Sequence, residues 1–431
     1  MSGLSLYRGF TRIAMPMARL LLRHRLAKGK EDATRIGERE GIASLSRPEG
    51  PMAWLHAASV GEAQSALILI EKLLSENLEL RILVTTGTVT SASYLKDRLP
   101  NRGFHQYLPL DCPQWVKRFL NHWKPDIAIW IESEFWPNLI FETKRRDIPA
   151  LLVNARMSAN SLRAWQRMDG MVKHLISGFR LCLAQTEYQA ELLQNLGAMN
   201  VSCVGNLKYS AAPLAFVEQD LEALQSEIGT RPVWVAASTH AGEEVLASSA
   251  HTALLADIPE LLTIIVPRHP SRAVKIETTL SQRGHNCIRR STGKRIELDT
   301  AIYIADTLGE LGLFYRLARI SYIGGSMSRH GGHNPLEAAQ LGCAVIHGPD
   351  MENFSSVAAA LESSHGSVVV GTAQELAHAI RELFEDRGLL ARQTARAAAV
   401  AETNRGVVDR VYAAIAPAVH EALRGGGVAG S

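Results

Sequence analysis

The chain has 431 residues, more than one hydrophobic core usually supports, so we expect two domains of about 150 to 200 residues each. Hydrophobic residues make up 46% of the chain and charged residues 21%, a composition typical of globular proteins. The formal net charge of +3 is too small for a dedicated nucleic-acid binder, so no nucleic-acid partner is expected. The five cysteines form no CxxC pair, which argues against a disulfide framework and against a zinc site.

The first thirty residues contain seven basic residues and no acidic one. Drawn as a helix, they show an arginine stripe on one side, formed by Arg8, Arg12, Arg19 and Arg23. An apolar stripe lies on the other side, formed by Leu6, Phe10, Ile13, Met17, Leu20 and Leu21. The pattern predicts an interfacial helix over residues 1–30, with the four arginines turned to the anionic lipids of a membrane or to a phosphorylated lipid. The alternative is an amphipathic helix packed on the protein's own core.

No apolar run in this segment approaches the ~20 residues that a membrane-spanning helix needs. No small-residue cleavage site follows it either. Neither a transmembrane span nor a signal peptide is therefore predicted.

From Met52 onward, short apolar runs alternate with helical periodicity, which predicts repeated βα units and parallel sheets covered on both faces. The first set of predicted strands covers residues 53–56, 81–85, 126–131, 150–154 and 181–184. The second set covers residues 233–237, 261–266, 301–304, 320–323 and 344–346. We therefore expect α/β domains at residues 31–210 and 211–424, followed by a disordered tail at 425–431.

Three motifs of the first domain contain candidate catalytic residues. The motif HAASVGE places Glu62 in the first turn of a helix, where a carboxylate complements the helix dipole and stays ionised. The motif ESEFWPN places Glu132 and Glu134 after another strand, and a helix cap or an ion pair explains Glu134 equally well. The motif GNLKY places Lys208 near the domain boundary, where its ammonium would counter an anionic ligand.

Five strand-end loops of the second domain together predict a nucleotide site: ASTH at 237–240, PRHP at 267–270, DTLGEL at 306–311, GGS at 324–326 and HGGHNPLE at 330–337. Arg268 matches a phosphate group bidentately, and the GGS loop offers backbone amides. Asn334 and Pro335 begin a helix whose first turn attracts anions. Glu337 could accept hydrogen bonds from ribose hydroxyls, or it could simply complete a capping box.

Several motifs are missing from the sequence. It has no GxxxxGK[ST] loop, no GxGxxG after the first strand, no DxD and no HExxH. A nucleoside triphosphatase, a dinucleotide oxidoreductase and a metal-dependent transferase are therefore disfavoured.

In chain order, the motifs HAASVGE, ESEFWPN, GNLKY, ASTHAGEE, PRHP, DTLGELGLFY, GGS and GGHNPLEAAQLG, with RIGER at 35–39, closely resemble the 3-deoxy-manno-octulosonic acid (Kdo) transferase family. The likeness covers nearly the whole chain. It implies a GT-B architecture, in which two Rossmann-like α/β domains face each other across a cleft. It also implies metal-independent, inverting transfer of Kdo from CMP-Kdo to the lipid A precursor, without a cofactor, at the cytoplasmic face of the inner membrane.

The same resemblance assigns roles to residues. Glu62 would be the general base, and Glu132 and Lys208 would stabilise the transition state. The CMP moiety would be held by Pro267, Arg268, Leu308, Gly309, Glu310, Asn334, Pro335, Leu336 and Glu337, with His269 and Ser326 as neighbours.

Two other functions fit the same pattern of motifs. One is a GT-B transferase or epimerase that uses a UDP-sugar, which would be stabilised against heat by UDP instead of CMP. The other is an inert nucleotide-sensing protein docked on a membrane, which would form no product from donor and acceptor.

Overall fold

The computed structural model describes residues 3–132, 135–157, 169–210, 213–327 and 329–426. The chain divides into two compact units. The first unit comprises Met1–Ala211 and Gly406–Ser431, and the second comprises Ala212–Arg405. Each unit is built around a parallel sheet of seven strands with interleaved helices, which confirms the predicted α/β fold class.

The first unit begins with two helices, α1 (Gly3–Ile13) and α2 (Met15–Ala27). Its strands are β1 (Met52–His56), β2 (Arg81–Thr86), β3 (Gly103–Tyr107), β4 (Ile127–Ile131), β5 (Ala150–Ala155), β6 (Leu181–Ala184) and β7 (Val201–Cys203). The helices between them are α3 (Val60–Glu76), α4 (Val89–Lys96), α5 (Pro113–Trp123), α6 (Pro137–Lys144), α7 (Asp169–Ile176) and α8 (Glu187–Asn195). The strand order is β3-β2-β1-β4-β5-β6-β7.

The second unit begins with α9 (Glu218–Ile228). Its strands are β8 (Val233–Thr239), β9 (Leu262–Pro267), β10 (Cys287–Arg289), β11 (Ile302–Ile304), β12 (Ile320–Ile323), β13 (Ala344–His347) and β14 (Ser367–Val369). Its other helices are α10 (Glu243–Leu254), α11 (Ala273–Ser281), α12 (Leu311–Leu317), α13 (Pro335–Gln340), α14 (Ser355–Ser363), α15 (Ala373–Glu385) and α16 (Arg387–Arg405). The strand order is β10-β11-β9-β8-β12-β13-β14.

Strand β1 shows why both faces of the first sheet are covered. Met52 and Trp54 pack in one hydrophobic cluster, and Ala53 and Leu55 pack in another on the opposite face. All four side chains are fully buried. In the sequence, such a strand appears as a continuous apolar run, because successive side chains point to opposite faces of the sheet and both faces are buried.

In each sheet, successive strands are added first toward one edge and then toward the other. We call the boundary between these two directions the reversal of the sheet. In the first sheet it lies between β1 and β4, and in the second between β8 and β12. At such a reversal the connections leave neighbouring strands in opposite directions, which opens a crevice at their carboxyl ends. Ligands of open parallel sheets bind there.

All ten predicted strands are confirmed, each to within two residues at its ends. Four further strands, β3, β7, β10 and β14, were not predicted. These four are the outermost strands of the two sheets.

The last helix, α17 (Val407–Gly426), belongs to the first unit, so the prediction that the second domain extends to residue 424 is wrong. Val407, Val411, Ile415 and Val419 recur at every fourth position and are buried in the same cluster as the apolar residues of α3. The apolar periodicity of a helix indicates that one face is buried, but it does not indicate which hydrophobic core that face packs against. Of the predicted disordered tail, residues 425 and 426 are helical and the others lie outside the described residues.

Helices α1 and α2 pack against the rest of the first unit through the arginine stripe. Their apolar stripe is exposed to solvent. Arg8 pairs with the buried carboxylate of Glu142 at 2.9 Å, and Arg19 pairs with Glu40 at 2.8 Å. The prediction that all four arginines would face lipid is therefore wrong for these two. The six apolar-stripe side chains are between 52% and 81% exposed, so the alternative of a helix packed on the protein's own core is also wrong for them.

Gly205 lets the chain pass close to α17. Its φ is +96°, and a Cβ there would lie 2.7 Å from Cγ2 of Val407. We expect Gly205→Ala to lower the free energy of unfolding by about 2 to 3 kcal/mol, because it adds a clash to a strained backbone. Denaturant titration measures the change.

Gly29→Ala is the matched control, because Gly29 also has positive φ but no atom within 4 Å of its added Cβ. This control should cost only about 1 kcal/mol. In Gly205→Ala with Val407→Ala, the loss should be smaller than the sum of the single losses. Strict additivity would contradict the proposed contact.

Candidate active site

Glu62 lies in the first turn of α3, directly after β1, and is 7% exposed. Its carboxylate accepts hydrogen bonds from the Ala58 amide at 2.7 Å and from the Ser59 hydroxyl at 2.8 Å. Ser59 is the N-cap of the helix and accepts in return from the Glu62 amide. These bonds and the helix N-terminus all stabilise negative charge on the carboxylate.

Glu132 and Lys208 form an ion pair in the first unit, with 2.8 Å between Oε1 and Nζ. Glu132 follows β4 and has a φ of +61°, a left-handed conformation that is strained for a residue with a side chain. Strain of this kind persists where surrounding contacts hold it, and it is concentrated at functional sites. Glu134, the alternative carboxylate of this motif, lies outside the described residues.

The Lys208 ammonium also lies beside the turn that carries Glu62. A Cβ on Gly61 would lie 3.4 Å from Nζ of Lys208. Glu62 follows β1 and Glu132 follows β4, so both carboxylates leave the two strands that flank the reversal of the first sheet. The structure thus brings together the three predicted catalytic residues, at the place where the sheet topology opens a crevice.

Three amide side chains that sequence reasoning missed hold Lys208 in place. Asn154 accepts from the Leu207 amide at 2.9 Å, and its own carbonyl accepts from Gln185 at 2.9 Å. Gln185 in turn accepts from Asn206 at 3.1 Å, one residue before Leu207. Asn154 is fully buried with a φ of +58°, at the end of β5. A polar residue that ends an apolar strand is the signal that could have found it.

In the second unit, the residues predicted to bind the nucleotide leave neighbouring strands. They follow β11, β9 and β12, which with β8 occupy adjacent places in the sheet. Pro267 is the last residue of β9, and the amide of Arg268 is hydrogen-bonded to the carbonyl of Thr239 at 3.0 Å. The side chains of Arg268 and His269 are exposed at this edge.

Helix α13 begins as predicted. Asn334 is its N-cap and accepts from the Leu336 amide at 3.1 Å, and Pro335 occupies the first helical position. Asn334 also donates to Glu337 at 3.2 Å. Burial raises the pKa of Glu337 above its ordinary value, against the opposite effects of Asn334 and the Arg268 charge. Arg268 and Glu337 therefore act on each other electrostatically at one end of the sheet.

The DTLGEL loop presents an exposed apolar side chain beside a paired carboxylate. Leu308 is 82% exposed, and Gly309 has a φ of +85° with open space around it. Glu310 is the N-cap of α12 and pairs with Arg290 at 2.9 Å. Burial opposes ionisation of Glu310, but hydrogen bonds from Arg290 and Thr307 lower its pKa overall.

The expectation that the GGS loop presents free amides to a phosphate is wrong. Glu243, a residue that sequence reasoning missed, is 2% exposed and occupies that position. Its carboxylate accepts from the backbone amides of His240, Gly325, Ser326 and Met327 and from the hydroxyl of Tyr322.

Ser326, predicted to neighbour the nucleotide, is fully buried. Its hydroxyl donates to the Ile323 carbonyl and accepts from the Gly348 amide at 2.7 Å. Ser326 therefore ties β12 to the loop after β13, and its side chain is not available to a ligand. A serine of this kind is recognised only from its three-dimensional neighbours.

A solved glycosyltransferase from Rickettsia africae ESF-5 shares this fold. It superposes with a TM-score of 0.58 at 13% sequence identity, covering 86% of this chain and 99% of that chain. Two Rossmann-like units with parallel sheets, each with its polar residues at the carboxyl ends of the strands, give the protein the GT-B fold.

Sequence relatives define the family within this fold. Residues 34–211 match the family described as 3-deoxy-D-manno-octulosonic-acid transferase (kdotransferase). The 3-deoxy-D-manno-octulosonic acid transferase of Rickettsia bellii is 34% identical over 380 residues, which are 88% of this chain and 90% of the relative. A probable mitochondrial 3-deoxy-D-manno-octulosonic acid transferase of Arabidopsis thaliana is 37% identical over 396 residues, 89% of each chain. The chain belongs to the Kdo transferase family and is a glycosyltransferase.

The buried hydroxyl of Ser326 generates a prediction about stability. Ser326→Ala leaves the Gly348 amide without its acceptor, so we expect the free energy of unfolding to fall by about 1 to 3 kcal/mol. Denaturant titration tests this, with Ser363→Ala as control because the Ser363 hydroxyl is exposed and bonds only within its own helix. A loss no greater than that of the control would show that the Ser326 hydroxyl is not structural.

Proposed function

We propose that the protein transfers Kdo from CMP-Kdo to a hydroxyl group of the lipid A precursor, with inversion at the anomeric carbon and without a metal. The reaction takes place at the cytoplasmic face of the inner membrane. The observation that carries the proposal is the grouping of Glu62, Glu132 and Lys208 at the reversal of the first sheet, in a chain of the Kdo transferase family.

Glu62 is suited to take the proton of the acceptor hydroxyl. A hydroxyl attacks a sugar only as its proton is removed, so a carboxylate must be ionised and within hydrogen-bond reach of it. The amide of Ala58, the hydroxyl of Ser59 and the N-terminus of α3 all favour the charged carboxylate. Inversion then requires one displacement, so a single base suffices.

Lys208 is suited to stabilise charge that develops as the donor bond breaks. Its ammonium carries a full positive charge next to the turn of Glu62, and the ion pair with Glu132 fixes its direction. A cation that is already oriented costs no reorganisation in the transition state. Glu132 is thus the positioning partner of Lys208.

The second unit supplies residues suited to a cytidine monophosphate ester. Arg268 is exposed after β9 and can hold the single phosphate through its planar fork of donors. The other residues assigned to the nucleotide are Pro267, His269, Leu308 to Glu310, and Asn334 to Glu337. CMP-Kdo contains one phosphate, whereas UDP-sugars contain two, so an arginine can balance its charge without a metal clamp.

The apolar stripe supports the proposed location at the membrane. Its six side chains are exposed on α1 and α2, and two arginines of the other stripe tie these helices to the first unit. Each such side chain gains roughly 1 to 3 kcal/mol when it leaves water for the acyl region. Among the residues described, no helix combines the length and the hydropathy of a bilayer span. We infer peripheral binding to anionic inner-membrane lipids, where the lipid acceptor is found.

The general-base role of Glu62 can be tested by Glu62→Gln. We expect turnover of CMP-Kdo and lipid A precursor to fall about a hundredfold to ten-thousandfold, because the amide cannot accept the proton. Binding of CMP, measured by calorimetry, should stay unchanged. Gln64→Ala, on the exposed side of the same helix turn, is the control and should retain activity. Near-normal turnover of Glu62→Gln would remove Glu62 from the mechanism.

The membrane role of the apolar stripe can be tested with Phe10→Ser combined with Met17→Ser. We expect at least tenfold weaker binding to vesicles of phosphatidylethanolamine and phosphatidylglycerol, because two exposed apolar anchors are lost. Cosedimentation measures it. Leu78→Ser with Met199→Ser is the control, since these side chains lie elsewhere in the first unit and are at least as exposed as Phe10 and Met17. Equal binding by both double variants would contradict docking through the stripe.

A further inference from the structure

Four histidines gather at the reversal of the second sheet. His240 follows β8, His269 follows β9, and His330 and His333 lie in the loop after β12. The ring of His240 stacks on that of His330 with 3.9 Å between centroids, and it is nearly parallel to that of His333 at 5.2 Å. No three His, Cys, Asp or Glu side chains of the described residues are grouped to hold a metal ion.

His240 and His333 share a hydrogen bond between their two Nε2 atoms, which are 2.9 Å apart. One Nε2 must carry the proton and the other must be bare. If both rings are neutral, the ring with the bare Nε2 carries its proton on Nδ1. The pair then presents one Nδ1–H donor and one bare Nδ1 acceptor, and neither atom has a partner among the described residues.

The surroundings keep the pair neutral at pH 7. Burial lowers the pKa of His333 to about 4, with further lowering by His240 and by the Arg268 charge. Burial also lowers the pKa of His240, and the nearby His330 lowers it further. The other charged or titratable groups that face the pair are His269, Arg272 and Glu243. Only Glu243 favours protonation, and it does not outweigh the others.

Glu243 and Gly325 lie next to the two histidines. The Glu243 carboxylate accepts from the amides of His240 and Gly325, which joins the loops that carry the two histidines. A Cβ on Gly325 would lie 3.1 Å from Cδ2 and 3.3 Å from Nε2 of His333. The Cδ2–Nε2 edge of His333 thus faces the loop, and its Nδ1 edge points away from it.

We propose that His333 donates a hydrogen bond from Nδ1 to the phosphate of the nucleotide donor, and that His240 is the positioning residue that fixes this tautomer by donating from its own Nε2. The inference deepens the proposed function and rests on it. His333 is the suitable ring of the two because Arg268, the predicted phosphate ligand, acts directly on it. A phosphate between Arg268 and His333 would receive donors from both.

The charge of the phosphate explains the use of a second donor. In the transfer, the acceptor oxygen bonds to the anomeric carbon and gives its proton to Glu62. The bond from that carbon to the phosphate oxygen breaks, and its electron pair stays on that oxygen. The phosphate therefore changes from a singly charged diester to a doubly charged monoester. A neutral Nδ1–H donor interacts more strongly with the second state, so it lowers the barrier more than it tightens donor binding.

Four variants test the tautomer directly. His333→Gln keeps an acceptor for His240 but has no donor at the Nδ1 position. His240→Leu removes the group that fixes the tautomer, whereas His240→Gln keeps an N–H donor toward His333. His378→Gln is the surface control, because His378 is exposed in the same unit. We expect kcat to fall about tenfold to a hundredfold in His333→Gln and His240→Leu, with KM for CMP-Kdo nearly unchanged. His240→Gln and His378→Gln should stay within about twofold of the wild type.

Binding measurements separate this inference from the proposed function. Calorimetry with CMP and with cytidine should show a several-fold weaker affinity of His333→Gln for CMP only, because cytidine has no phosphate. Equal kcat of His240→Leu and His240→Gln would overturn the role of His240. Wild-type kcat and CMP affinity in His333→Gln would overturn the role of His333. A wild-type protein that neither binds CMP nor transfers Kdo would overturn the proposed function itself, and this inference with it.

Discussion

The burial of both faces of each parallel sheet is the constraint on which the rest of the structure depends. A strand such as β1, with every side chain buried, leaves no room inside the sheet for a charged group without a partner. Chemistry is therefore confined to the carboxyl ends of the strands, and most of all to the two reversals of strand order. Glu62 and Glu132 mark the reversal of the first sheet, and His240 and His333 mark that of the second.

The same burial decided which strands could be predicted from the sequence. The ten inner strands are apolar on both faces, so they appear as continuous hydrophobic runs. The outer strands β3, β7, β10 and β14 have a neighbour on one side only and are partly exposed. Three of them have only three residues and, unlike the equally short inner strand β11, they are not buried throughout. Their apolar signal is weak for a physical reason.

The candidate site was predictable where a residue directly follows a strand, and not where its role depends on a distant partner. Glu62, Glu132 and Arg268 stand in motifs that follow apolar runs. The occupation of the GGS amides by Glu243 joins positions more than eighty residues apart, and Asn154 contacts Leu207 across 53 residues. Spacing along the sequence does not reveal such long-range contacts. The amides of a loop that is expected to bind a ligand can therefore already be hydrogen-bonded to another part of the protein.

The return of α17 to the first unit has a consequence for biosynthesis. The second unit is one continuous stretch of chain, whereas the first is completed only by the last helix. The N-terminus leaves the ribosome first, and domains usually fold in the order in which they are synthesised. Here the unit that emerges first lacks the five core side chains of α17, which are Val407, Val411, Ile415, Ala418 and Val419, until the second unit has been translated. Until then, the nascent first unit exposes an apolar surface along α3. The second unit, although it is synthesised later, can therefore finish folding first.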